Sequence, residues 1–122
     1  MAPVSVGELI DKITILRIKT QQLTDVDKLK NVESELQLLT ELRDNCQLHI
    51  EVDDLETLLY RVNRELWDIE NFKRLCEESQ KFDTDFIEAA RNVYLKNDLR
   101  ALIKKKINQV SGSTIVEEKS YK

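Results

Sequence analysis

The chain has 122 residues, of which 34% are charged and 6% aromatic, with two glycines, one proline and a formal net charge of −4. Helix interiors exclude Gly and Pro and present charge to solvent, so this composition predicts an all-α protein. No stretch approaches the roughly 20 apolar residues of a membrane span, and the N-terminus lacks a signal-peptide pattern, so we expect no membrane partner and a cytoplasmic location. The length predicts one domain over residues 1–122, with flexible or folded-back ends at 1–4 and 111–122.

A first helix is predicted from Ser5 onward, because Ser5 and Glu8 have the S-x-x-E spacing of a helix-capping box. Its apolar residues recur at intervals of three and four, and extra isoleucines widen the stripe until much of the circumference is apolar. They are Val6, Leu9, Ile10, Ile13, Ile15, Leu16, Ile18 and Leu23. Such a helix is expected at the centre of a bundle.

A turn near Thr24 and Asp25 opens a second predicted helix, and Asp53 or Asp54 is expected to cap a third. Both helices carry apolar seams: Leu29, Val32, Leu36, Leu39, Leu42 and Cys46 in the second, and Leu55, Leu58, Val62, Leu66, Ile69, Phe72 and Cys76 in the third. Residues 47–53 alternate apolar and polar, which suits an extended connection or very short strand. The simplest arrangement pairs the two helices as an antiparallel helical hairpin.

The fourth element carries two apolar clusters on different sides of one ideal helix. The first contains Phe86, Ala90, Val93 and Tyr94, and the second contains Leu95, Leu99, Leu102, Ile103 and Ile107. Either the helix passes between two packing partners, or it breaks at residues 96–98; we favour a break or sharp kink. The predicted fold is therefore a bundle of four to five helices built round the hairpin.

Residues 91–108 carry six cationic side chains and one acidic one, a local net charge of +5 in an acidic chain. Arg100 and Lys104 lie one helical turn apart, and this spacing predicts that together they bind a phosphate or carboxylate. Neighbouring polar groups would add hydrogen bonds. The candidate anion site comprises Arg91, Tyr94, Asn97, Arg100, Lys104 and Asn108. The alternative is a solvated helix face that complements the helix dipole. Nucleic acid is not the expected ligand, because the rest of the chain is acidic and the basic segment itself contains only one aromatic residue.

Two E-x-x-D pairs, Glu8 with Asp11 and Glu65 with Asp68, predict a second kind of site. Carboxylates three residues apart share a helical face, so two such helices facing each other could hold Mg²⁺ and present a nucleotide's phosphates to it. The first pair superficially resembles the acidic helix of MazG-like nucleotide pyrophosphohydrolases. That family normally has Glu where Asp11 stands, and its second acidic helix follows sooner. Solvated helix faces are the alternative.

Four segments of the chain resemble an uncharacterised family of short helical proteins from bacteria and phages. They are SVGELIDKITIL at residues 5–16, residues 63–70 with LWDIE, ARNVYLKNDLRALIKKKIN at 90–108, and residues 112–121 with EEKSY. The resemblance implies that the whole chain is one unit, and it implies no activity. Because the resemblance extends into the C-terminal tail, it implies that the tail has a role. We hypothesise that Lys119 and Tyr121 fold back near the basic helix or onto a second subunit.

No phosphate-binding loop, nucleophile elbow or Cys/His arrangement for nucleophilic catalysis is present in the sequence. The leading prediction is therefore a non-catalytic helical module, a homodimer without a cofactor, that binds a small anionic ligand or a partner protein. The alternative is a Mg²⁺-dependent nucleotide-processing enzyme that uses the two acidic pairs.

Overall fold

The computed structural model describes residues 5–46, 48 and 50–112. These form four helices, α1 (Val6–Gln22), α2 (Val26–Asp44), α3 (Glu51–Ser79) and α4 (Thr84–Ser111). No strand occurs in the described part of the chain, so the prediction of an all-α bundle is confirmed. Within the same residues, none of the four helices offers the long apolar stretch that crossing a bilayer requires.

Helix α1 lies at the centre of the bundle, as its broad apolar surface predicted. Its first turn is capped by Ser5, whose side chain accepts a hydrogen bond of 3.2 Å from the Glu8 amide. Each of the other three helices packs against α1. Ile10, Leu16 and Ile18, which point to different sides of α1, are all almost completely buried. A helix that is apolar on most of its circumference needs neighbours on several sides, and α1 has them.

Helix α2 begins at Val26 as predicted, after Asp25, which accepts a hydrogen bond of 3.1 Å from the Lys28 amide. It packs along α1, and none of its own residues is fully buried. Helix α3 begins at Glu51, so the predicted caps at Asp53 and Asp54 were wrong: both lie inside its first turn.

The predicted hairpin of α2 with α3 was wrong, because α3 packs most extensively on α4 and α2 packs on α1. The buried face of α3 includes Leu59, whereas Leu58, which the sequence placed in the seam, is 44% exposed. A shift of one residue rotates a helical face by about 100° and redirects it to another neighbour. Helix α3 ends at Ser79 and is followed by Gln80 in the left-handed conformation. The amide of Lys81 donates to the carbonyl of Cys76, a closing pattern that turns the chain toward α4.

Helix α4 stays helical through residues 96–98, so the predicted break was wrong. The competing explanation, a helix between two partners, fits the contacts, since α4 packs on both α3 and α1. Its Ile103 and Ile107 join the main hydrophobic core, which contains Ile10 from α1 together with Val52, Leu59 and Val62 from α3. Leu95, Leu99 and Leu102 of the second predicted cluster remain exposed.

Candidate functional site

One face of α4 carries a polar stripe that lies against the start of α1. Arg100, Lys104 and Asn108 are spaced four residues apart, so their side chains project from the same face of the helix. They meet three residues of α1: Arg100 contacts Asp11, Lys104 contacts Glu8, and Asn108 contacts Gly7. The order of the contacts shows that α1 and α4 run antiparallel. We call this set of six residues the α1/α4 seam.

Asp11 is the most buried charged group of the seam, with a side chain that is 5% exposed. Arg100 binds it with two hydrogen bonds, from Nε to Oδ1 at 2.9 Å and from Nη2 to Oδ2 at 2.5 Å. Asn63 of α3 donates from Nδ2 to Asp11 Oδ1 at 2.9 Å and to Thr14 Oγ1 at 2.8 Å. Lys104 Nζ lies 3.9 Å from Asp11 Oδ2. The carboxylate therefore joins α1, α3 and α4 through charged and neutral donors.

The electrostatics keep both partners of this pair charged. Burial by itself would raise the pKa of Asp11, but the hydrogen bonds from Arg100 and Asn63, with the positive charges of Arg100 and Lys104, outweigh burial and hold that pKa below its ordinary value. The hydrogen bond to Asp11 in turn raises the pKa of Arg100 above its ordinary value, against the opposing effect of burial. A buried carboxylate with this many donors is stabilised as an anion, which suits an ion pair rather than a proton-transfer role.

Gly7 and Asn108 allow the two helices of the seam to approach closely. Asn108 Oδ1 accepts a hydrogen bond of 2.7 Å from the Gly7 amide, which belongs to the first turn of α1 and has no partner within that helix. A Cβ atom at position 7 would lie 2.6 Å from the carbonyl oxygen of Lys104. Only glycine fits there without a shift of one helix against the other. Lys104 Nζ, on the same turn, lies 2.7 Å from Glu8 Oε1.

The structure divides the predicted anion site among different surfaces. Arg100, Lys104 and Asn108 belong to the seam, and their contacts with α1 are those described above. Arg91 and Tyr94 are exposed on the opposite side of α4, and Asn97 is exposed beside a groove described below. Lys119 and Tyr121 lie outside the described residues.

The four carboxylates of the predicted metal site each have a cationic neighbour. Glu8 and Asp11 belong to the seam, Glu65 lies 3.0 Å from Lys96 Nζ, and Asp68 lies 3.3 Å from Arg64 Nη1. Among residues 5–46, 48 and 50–112, no three His, Cys, Asp or Glu side chains come together in a way that could hold a metal ion. The observed arrangement therefore favours ion pairs between helices, and in α3 between successive turns, over a shared cation.

A groove of about 270 Å³ opens beside the Asp11–Arg100 pair, between α1, α3 and α4. We call it the three-helix groove. Its apolar lining consists of Ile15, Ile18, Leu66 and Val93, and its polar and aromatic lining consists of Asn63, Trp67, Glu70, Asn71, Arg74, Asn97 and Arg100. It is the place where the predicted residues Asn97 and Arg100 come together with an apolar surface.

Sequence reasoning did not assign Asn63, Asn71 or Arg74 to a site, although their spacing carries a signal. With Trp67 they recur at intervals of four, four and three along α3, which places them on one helical face. This polar and aromatic stripe is offset from the leucines that define the buried face. A second stripe of this kind, polar and aromatic rather than apolar, indicates a face of α3 that lies at the boundary between the core and the solvent.

The chain belongs to DUF6165. The model of this family of unknown function matches residues 2–122, and so it includes the whole seam and the whole groove. Neither a curated protein nor a solved structure matches the chain significantly. The family description names no activity.

Proposed function

We propose that this protein is a non-catalytic helical binding module whose ligand site is the three-helix groove. The ligand is a small molecule that combines an anionic group with an apolar or aromatic body. The observation that carries the proposal is the placement of two guanidinium groups, Arg74 and Arg100, at a groove with an apolar lining. The proposal keeps Asn97 and Arg100 from the predicted anion site and adds the stripe of α3.

The charges of the groove support an anionic ligand. Arg74 is exposed and makes no ion pair with another residue in the described part of the chain, so its charge is available. Arg100 uses Nε and Nη2 to bind Asp11, and the guanidinium has five N–H donors in all. Arginine donors bind carboxylates and phosphates in pairs, and the side-chain amides of Asn71 and Asn97 can add directional hydrogen bonds. Glu70 also lines the groove, and its carboxylate lies 3.2 Å from Lys73 Nζ.

The size and lining of the groove support a small ligand with a flat apolar part. Its volume of about 270 Å³ lies just below the range for small-molecule sites, roughly 300–1,000 Å³, which favours a small ligand. Ile15, Leu66 and Val93 offer aliphatic contact, and Trp67 offers an aromatic edge or face. A free phosphate would use only the donors, whereas a phenyl phosphate or a nucleoside monophosphate would use both parts of the groove.

The lack of a long apolar stretch supports a cytoplasmic location, and the resemblance to a family from bacteria and phages supports such an origin; both belong to this proposal. Lys104 and Asn108 are left out of the ligand site, because their side chains already bind Glu8 and the Gly7 amide. A ligand that recruited them would have to open the α1/α4 seam.

The proposal is tested by fluorescence titration, because Trp67 lines the groove and is the only tryptophan of the chain. The probes are inorganic phosphate, benzoate, phenyl phosphate and adenosine monophosphate, each with and without Mg²⁺. We expect a saturable change in Trp67 emission with phenyl phosphate or the nucleotide, independent of Mg²⁺ and larger than the change with phosphate or benzoate. No saturable change with any probe would contradict the proposal.

A pair of matched variants separates the groove from general charge effects. Arg74→Ala removes a groove donor, whereas Arg61→Ala removes an exposed arginine of the same helix that does not line the groove. Loss of a charged hydrogen bond costs about 1.5–3 kcal/mol, so Arg74→Ala should weaken binding by roughly tenfold to a hundredfold and Arg61→Ala should not. Equal affinity in the two variants would place the site elsewhere. A response to the nucleotide only with Mg²⁺ would support the alternative enzyme that uses Glu8, Asp11, Glu65 and Asp68.

A further inference from the structure

The side of α4 that faces away from the bundle carries a long apolar stripe. Ile87, Tyr94, Leu95, Leu99 and Leu102 are 56%, 56%, 47%, 42% and 64% exposed. At 100° per residue these side chains lie opposite the buried Ala89 and Ile107 and the half-buried Arg100 of the same helix. We call these five residues, with the exposed Arg91 and Asp98 that lie among them, the α4 outer stripe.

Single exposed leucines are ordinary, but five large apolar side chains along one helix form a continuous surface. They span 16 residues, which at 1.5 Å per residue is about 22 Å of helix. The inner face of α4 is already packed on α1 and α3, so the outer stripe is not needed to complete the fold of one chain. A surface of this kind is expected to mark an interface.

The order of residues along the α4 outer stripe is complementary to the same stripe on a second copy of the chain. When two α4 helices lie antiparallel about a point between positions 94 and 95, Tyr94 meets Leu95 of the partner subunit. In the same register Ile87 meets Leu102 of the partner subunit, and Arg91 meets Asp98 of the partner subunit. Apolar residues therefore face apolar residues, and the two charged residues of the stripe face opposite charges. Neither Arg91 nor Asp98 makes an ion pair with another residue that the structure describes.

We infer that two copies of this chain associate through the α4 outer stripe, antiparallel and related by a two-fold axis between residues 94 and 95. In such an isologous interface every contact occurs twice, so the complementary pair contributes two ion pairs and the apolar matches are doubled as well. The inference gives Arg91 and Tyr94 of the predicted anion site a role on a surface separate from the three-helix groove. It does not depend on the proposed ligand.

The interface is modest in size, and this sets what should be observed. One pair of helices in contact over about 22 Å buries less than the roughly 1,600 Å² of a standard protein interface. The dimer should therefore dissociate on dilution into folded monomers. Charge complementarity at the two symmetric positions should set the register, because placing like charges together at an interface is unfavourable.

The inference is tested by sedimentation equilibrium of the full chain over a dilution series, with circular dichroism to confirm that each variant keeps its helix content. Arg91→Glu alone and Asp98→Arg alone each place like charges opposite one another twice, and each should weaken the dimer by about tenfold or more. The double variant reverses both charges and should recover most of the wild-type affinity. Recovery in the double variant is the result that a different register, or a different surface, would not give.

A second pair of variants tests the apolar part. Leu102→Lys places a charge in the stripe, and Leu38→Lys places the same charge on α2, at a leucine of equal exposure, 65% against 64%. We expect Leu102→Lys to be monomeric and Leu38→Lys to dimerise like the wild type. A wild-type chain that stays monomeric across the series, or a Leu102→Lys variant with undiminished dimer affinity, would overturn the inference.

Discussion

Asp11 and Arg100 are each other's binding partners, joined by hydrogen bonds of 2.9 and 2.5 Å between helices α1 and α4. The sequence placed Asp11 in a candidate metal site and Arg100 in a candidate anion site, since each carries the charge that such a ligand would need. The fold brings the two together, so that much of the charge segregated along the chain is neutralised within the bundle. A groove opens beside the pair, and the outer stripe lies on the side of α4 that faces away from the bundle.

Replacement of Arg100 by Ala should lower the free energy of unfolding by about 3 kcal/mol, at the low end of the cost of breaking a buried ion pair. The reason is that the carboxylate of Asp11 stays buried while its two strongest donors are lost, although Asn63 still donates to it. Urea denaturation measures the change. Lys106→Ala, which removes an exposed cation from the same helix, is the matched control and should change stability by less than about 0.5 kcal/mol. Similar small losses in both variants would contradict the role given to the pair.

The contribution of Asp11 to stability should depend on pH. Because the pKa of Asp11 is lower in the folded protein than in the unfolded chain, the unfolded chain binds more protons at this group as the pH falls, and unfolding becomes more favourable. The stabilisation is therefore complete above the unfolded pKa and is lost as the pH falls through the folded pKa. The difference in unfolding free energy between the wild type and Asp11→Asn should be constant near neutral pH and shrink below about pH 5. Denaturation series at several pH values measure it, and a difference that stays constant down to pH 3 would argue against the assignment.

Gly7→Ala should destabilise the protein although alanine is the better helix former. The new Cβ would lie 2.6 Å from the Lys104 carbonyl oxygen, a backbone atom that can move only if α1 and α4 separate. Overpacking of this kind costs about 1–3 kcal/mol, which exceeds the propensity gain of about 1 kcal/mol from Gly to Ala. Thermal unfolding of Gly7→Ala against Lys12→Ala, an exposed site on the same helix, gives the comparison. A stabilised Gly7→Ala variant would show that the seam opens without cost.

Asn108→Ala should be more harmful than Asn108→Asp. Alanine leaves the buried amide of Gly7 without its acceptor, which costs about 1–3 kcal/mol. Aspartate keeps an acceptor oxygen at the same position and places a negative charge at the N-terminus of α1, where the helix dipole favours it. The free energies of unfolding of the two variants, measured by urea denaturation, check this order. If Ala and Asp cost the same, the hydrogen bond to Gly7 is not what Asn108 contributes.

The helices themselves follow from local sequence. The Ser5 cap, the Asp25 cap and the apolar breadth of α1 are visible without a structure, because they depend on residues within one or two turns of each other. Apart from the start of α3, the errors concern relations between distant elements. Leu58 and Leu59 both suit a helical seam, and only the position of α4 decides which of them is buried. In the same way, the two apolar clusters of α4 permitted a break or two packing partners, and the second became visible only when α1 and α3 were in place.

The amino-acid sequence by itself determined that this protein is helical, that α1 is central, and that residues 91–108 carry a net positive charge in an acidic chain. Periodicity, capping and composition carry that information, because each depends on neighbours along the chain. Only the tertiary structure decided which charges meet. Glu8 and Lys104 are nearly a whole chain apart in sequence and 2.7 Å apart in space, as are Gly7 and Asn108. An acidic residue has the same local pattern whether its partner is a metal ion, water or an arginine 89 positions away, so the choice between them is made by packing.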